Sequence, residues 1–157
     1  MRYFKWGVSR LILESDPVPD IVPMWVEGLD RVMHETREFP RFLPRPGKSV
    51  SITFGERLDG ERVFGDLRER WKKMHARVEK MEGKLETGVL NDVLKYSDEA
   101  VALRKECTMR VRAAVLNIRR TRGHPDEDPK TSLSETWTIE GEKREGRKGD
   151  GSYTRDT

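Results

Sequence analysis

The sequence predicts an α/β chain, and three observations carry that prediction. A short β-branched run, Ile21–Val26, and an alternating run, Val50–Gly55, lie on either side of a proline-dense loop and read as strands. From Phe64 the apolar residues recur in steps of three and four, the spacing of one helix face. Beyond Arg122, glycines and prolines among dense charge show no periodicity at all.

Each element follows in order. Tyr3, Phe4, Gly7, Val8, Leu11 and Ile12 recur at helical spacing, with Arg2, Lys5, Ser9, Arg10 and Glu14 on the other side, so an amphipathic helix is expected to end near Glu14. Asp16-Pro17-Val18-Pro19-Asp20 breaks it, because proline cannot continue a helix and pushes its predecessor towards extended conformations. Ile21–Val26 is expected to be a strand buried on both faces, with Pro23 at its end or at an unpaired edge. Residues 27–48 are rich in turn formers and read as a long ordered loop. Val50–Gly55 alternates apolar and polar side chains, as a half-buried strand does. Phe64, Leu67, Trp71, Met74, Val78 and Met81 then form one helix stripe, and Leu94, Val101, Val111, Val115 and Ile118 form a second, separated by Gly83 and Gly88. The expected division is 1–58 for helix, strands and loop, 59–122 for a helical extension, and 123–157 for a charged, disordered tail.

Composition narrows the function. Charged residues make up 38% of the 157, against roughly 25% in an ordinary globular chain, which favours a small core with long solvated helices. The net charge of +3, from 31 basic and 28 acidic residues, is too slight to name a polyanionic partner, and nucleic acid is not implied. Arg110, Arg112, Arg119, Arg120 and Arg122 are interspersed with Glu and followed by an acidic segment, so they read better as a solvated helix face. Cys107 is alone, which excludes an internal disulfide and a cysteine zinc site, and it reads as a small buried residue. No run approaches the roughly 18 to 20 apolar residues of a membrane span, and the first residues lack the pattern of a signal peptide.

Several segments together carry a resemblance. Arg2-Tyr3-Phe4-Lys5-Trp6-Gly7, Ile21-Val22-Pro23-Met24-Trp25, Phe39-Pro40-Arg41-Phe42-Leu43-Pro44-Arg45-Pro46-Gly47 and Ile52-Thr53-Phe54-Gly55-Glu56 resemble, in the same order, the tafazzin family of glycerolipid acyltransferases. Leu94-Lys95-Tyr96 through Arg122-Gly123 and Pro125–Lys130 look like the extension of fungal members. The likeness covers the later, carboxy-terminal part of such a protein. It implies the later part of a mixed sheet flanked by helices, followed by two long helices and a disordered tail.

The resemblance also implies a chemistry: an acyl chain moves between a phospholipid and a lysophospholipid without coenzyme A, with cardiolipin remodelling on mitochondrial membranes as the setting. No metal or redox cofactor is implied. In the family a His-x-x-x-x-Asp motif serves as general base and orienting carboxylate. Here the residues five positions after His34, His75 and His124 are Phe39, Lys80 and Pro129, so the pair is absent, as is the family's Phe-Pro-Glu-Gly block. The chain is therefore expected to be inactive alone and to need an amino-terminal acyltransferase half. A fragment, a truncated gene model and a degenerate copy all fit a start within the family's length.

The remaining candidates keep two readings each. Ile21, Val22 and Pro23 match the family's apolar strand ending in proline, which borders the substrate cleft, and equally suit an ordinary buried strand. Lys5 beside Trp6, with Arg10, suits a phospholipid headgroup or a solvated helix face. Phe39, Phe42 and Leu43 beside Arg41 and Arg45 suit an anionic membrane surface such as cardiolipin, or a loop folded back on the domain. A non-catalytic membrane or protein interaction module is the alternative to a transacylase portion.

Overall fold

The computed structural model describes residues 4–33, 43–83 and 90–132. Its first element, α1 (Gly7–Glu14), follows Trp6, whose carbonyl accepts a 2.7 Å hydrogen bond from Ser9 Oγ. Ile12 and Leu13 face the core, and the helix ends at Glu14 as its periodicity predicts. Ile12 O, left without a partner in the last turn, accepts from the buried Arg68 Nη1 at 2.5 Å, which fastens α1 to a later helix.

Two strands, β1 (Met24–Glu27) and β2 (Ser51–Phe54), pair antiparallel with Met24 opposite Phe54, Trp25 opposite Thr53, Val26 opposite Ile52 and Glu27 opposite Ser51. Gly55 N donates to Pro23 O and Leu58 N to Ile21 O, both at 2.8 Å, so pairing runs on past the regular strands. The α/β class is borne out; the sheet among the described residues has these two strands. The first strand differs from expectation in extent and burial. It begins at Met24, directly after Pro23, which has no N–H to give a ladder. Nor is it buried on both faces: Val22 and Met24 are about half exposed, because one strand and one helix cover a single side. The alternation in β2 is present but faces the other way from a half-buried strand's: apolar Ile52 and Phe54 are turned outward and polar Ser51 and Thr53 are the half-buried ones, because the one helix that covers the sheet lies on the polar side.

A short helix, α2 (Leu29–Val32), interrupts the expected loop. Gly28 precedes it at φ 87°, and a Cβ there would lie 2.3 Å from Ser49 O, so only glycine suits the position. Within the same loop, residues 34–42 lie outside the described residues.

Helix α3 (Gly60–Glu82) starts where Asp59 Oδ1 accepts from Arg62 N at 3.1 Å and stops before Gly83. Phe64, Leu67, Trp71, Met74 and Val78 of its stripe are buried, while Met81 in the last turn is exposed. The second stripe spans two helices rather than one, α4 (Asp92–Tyr96) and α5 (Asp98–Thr121). Ser97 turns extended between them, and its Oγ caps α5 by accepting from Ala100 N at 3.3 Å. Arg104 closes the break, donating to the carbonyls of Leu94 and Lys95 at the end of α4. The buried face of α5 runs through Ala100, Leu103, Cys107, Val111, Val115 and Ile118. With Ile12, Leu13 and Leu94, the residues of this face from Ala100 to Val111 close one core, each large side chain adding roughly 1.5–3 kcal/mol by leaving water.

Of the charged tail expected from residue 123 onward, residues 123–132 are among the described residues and make contacts with α5. Glu127, almost fully buried, accepts from the equally buried Arg112 Nη2 at 2.6 Å, and a 3-10 turn, Pro129–Ser132, follows. An ion pair so enclosed fixes the chain that carries it, because neither charge can return to water without unpacking. Residues 133–157 lie outside the described residues.

Candidate functional site at the junction of sheet and helix

The sheet meets the last turns of α5 through its inner face, the one carrying Trp25, Glu27, Ser51 and Thr53. Gly55 permits the approach: a Cβ there would lie 2.8 Å from Ile118 Cδ1 and 3.0 Å from Pro23 Cγ. Glu27 is the hub of this junction. It accepts from Arg122 Nη2 at 3.1 Å, from His124 Nε2 at 2.5 Å and from its strand neighbour Trp25 Nε1 at 3.0 Å. Arg122, then His124, pull the Glu27 carboxyl down to about 2. The Trp25 ring stands edge-on to His124 at 5.9 Å, and Arg119 Cζ lies 5.9 Å from the same ring.

A histidine beside a carboxylate is the arrangement of a general base, so the geometry must be weighed. Here Arg122 already neutralises Glu27, and the bonded nitrogen of His124 is spent on that carboxylate. What the cluster does well is tie β1 to the end of α5. His75 on α3 lies 3.9 Å from Glu79, four residues on, along an outer helix face. Among the described residues no group of His, Cys, Asp and Glu could hold a metal ion. Burial pushes the Cys107 thiol up to about 12, so it is no ready nucleophile.

The residues singled out from sequence fall into separate places. Trp6 lies beneath the guanidinium of Arg104, whose Cζ is 4.7 Å from the ring centre, so its cation partner is this buried arginine. Lys5 is exposed beside it. Arg10 pairs with Glu14 at 3.1 Å. Ile21 packs against the core and bridges Leu58, Pro23 is buried against Gly55, and Val22 between them is exposed. Leu43 and Arg45 are exposed, with Arg45 N donating to Val32 O at 3.0 Å. Phe39, Arg41 and Phe42 lie outside the described residues.

No family model matches the chain. It is 36% identical over 142 residues to the tafazzin of Saccharomyces cerevisiae, a match covering 87% of this chain, and 41% identical over 66 residues, 42% of this chain, to the tafazzin of Drosophila melanogaster. The chain is tafazzin-like.

The matched regions span 36% of the yeast relative and 17% of the fly one, so this tafazzin-like chain corresponds to about a third of the former's length. Among the described residues no helix is long and apolar enough to cross a membrane. The residues that sequence reading missed are Trp25, Glu27 and His124 at the junction, together with Arg68 and Arg104. None belongs to a local pattern, since His124 reaches across 97 positions to Glu27 and Arg68 across 56 to Ile12. The cap at Ser97 was missed as well, although a serine followed by Asp98 and Glu99 is a helix-start signal that could have found it.

Proposed function

We propose that this chain is the carboxy-terminal portion of a tafazzin-like phospholipid–lysophospholipid transacylase and works only together with an acyltransferase part that supplies the His-x-x-x-x-Asp pair. The likeness to yeast tafazzin along 87% of the chain carries this reading. In the reaction implied by the family, the His takes the proton of the lysophospholipid hydroxyl, whose oxygen attacks the donor's acyl carbonyl. The new ester forms as the donor's glycerol oxygen leaves and regains a proton. Residues 1–58 would complete the domain around that site, with Ile21, Val22 and Pro23 at the cleft wall, and 59–122 would brace it from outside. Exposed Lys5, Leu43 and Arg45, with Phe39, Arg41 and Phe42, support a peripheral contact with anionic mitochondrial lipid such as cardiolipin.

The test is a chimera in which this chain replaces the matched segment of the yeast relative. It should transfer labelled acyl chains from phospholipid to lysophospholipid, whereas the chain alone should not exceed a protein-free control. A folded but inactive chimera, or activity of the isolated chain that survives repurification, overturns the reading. The chimera should also float more readily with cardiolipin vesicles than with neutral ones, and equal flotation removes the membrane part.

A further inference from the structure

The two faces of the sheet have opposite fates. On the inner face Trp25 and Glu27 find partners on α5 and beyond it, at Arg119, Arg122 and His124. On the outer face the directly opposed pairs Met24 with Phe54 and Val26 with Ile52 form an apolar patch, with Met24 47%, Ile52 54% and Phe54 67% exposed. Val22 and Val50, also exposed, extend the two strands' apolar character at their ends. Neighbouring apolar side chains on a strand pair are common on a sheet face that another layer covers.

We propose that this outer face is the docking surface for the polypeptide that a tafazzin-like protein has and this chain does not span, a protein layer that brings apolar side chains and strand backbone together. The proposal rests on the reading of the chain as a portion of such a protein. Three observations select this occupant. The yeast relative is matched over only 36% of its length, so most of its polypeptide lies beyond the matched segment. A two-stranded sheet is marginal by itself in water and gains stability from further strands or a packed layer. Each strand pairs along one edge among the described residues, leaving backbone N–H and C=O groups on the other. Lipid chains would cover the apolar side chains but could not satisfy those groups, whereas a polypeptide does both. Arg57, three residues past the end of β2, is paired with Asp20 at 2.7 Å, which weakens the case for an anionic lipid surface.

Site-directed labelling distinguishes the occupants. Phe54→Cys should react with a maleimide at the rate of an exposed thiol in the isolated chain and at least about tenfold more slowly in the yeast chimera, where the layer is supplied. Leu11→Cys, on the exposed side of α1 at 64% exposure, should react equally in both. Equal rates for Phe54→Cys in a folded chimera overturn the proposal. So does protection of the isolated chain that grows with its concentration, which means a second copy, or protection on cardiolipin vesicles alone, which means lipid. A measurement that needs no chimera is the melting of the isolated Ile52→Asp/Phe54→Asp variant, expected within about 3 °C of the parent because the face is unused within this chain. A much larger fall would show that the chain covers the face itself and would refute the assignment. The chimera's acyl transfer is read separately: activity without protection keeps the function and removes the interface, and protection without activity does the reverse.

Discussion

In the helical body, α3 and α5 bury Phe64, Leu67, Leu103 and Cys107 against one another and against Ile12 of α1. In the sheet, Ile52 and Phe54 of similar apolarity point to water. Both regions have amphipathic sequence, with period 3.6 in one and period 2 in the other. The difference lies in how many apolar faces meet. Three helices enclose a core from several directions, whereas two strands have two faces and α5 supplies a cover for one. Apolar patterning therefore reports a need for burial, and whether this chain meets that need depends on the number of layers it can bring.

The largest test of the contrast is a pair of matched truncations. Phe64→Ala should cost roughly 3–5 kcal/mol in urea unfolding of the isolated chain, because it leaves a cavity in a closed core. Phe54→Ala should lie within about 0.5 kcal/mol, as for an ordinary surface change. Comparable losses at the two sites would erase the distinction.

A smaller effect asks whether residues 123–132 belong to the helical body. Glu127→Ala removes the carboxylate that the buried Arg112 guanidinium pairs with and should cost about 3 kcal/mol, whereas Arg57→Ala breaks an exposed pair with Asp20 and should cost less than about 1 kcal/mol. Equal, small losses would mean that the segment merely rests on α5.

The smallest effect sits where the two regions join. Glu27, drawn from an ordinary 4.5 to about 2, is charged in the fold under conditions where it would be protonated in the unfolded chain. Its contribution is complete above about 4.5 and is lost as pH falls towards about 2. Glu27→Gln should therefore be less stable than the parent near neutral pH, and the two should converge in acid. Denaturation curves at several pH values decide it, and a gap that stays constant down to the lowest pH removes the carboxylate from the tie.

Much of the fold was legible before any coordinates. The end of α1 at Glu14, the punctuation by Pro17 and Pro19, the stripe from Phe64 to Val78 and the extended state of β2, though not which of its sides is covered, all follow from side-chain period and proline chemistry. The strand at Ile21–Val26 was legible as extended chain but not in its limits or its burial, because Pro23 and the number of neighbouring layers set those. The candidate site was less legible. Lys5, Trp6, Leu43 and Arg45 attract notice through residue type, yet the side chains that join sheet to helix, Glu27, Arg122 and His124, are distant in sequence.

The amino-acid sequence alone determined the helical character of α1 and α3 and the extended character of β2, that the chain resembles the tafazzins, and that it lacks the His-x-x-x-x-Asp pair, because each of these is a property of short windows or of residue order. Only the tertiary structure decided that Trp6 lies beneath Arg104, that Glu127 holds residues 123–132 against α5, and that one sheet face is packed while the other is open. The reason is that a charge or an apolar face is satisfied by whatever the fold brings within a few ångströms, and that neighbour lies ten to a hundred positions away in the chain.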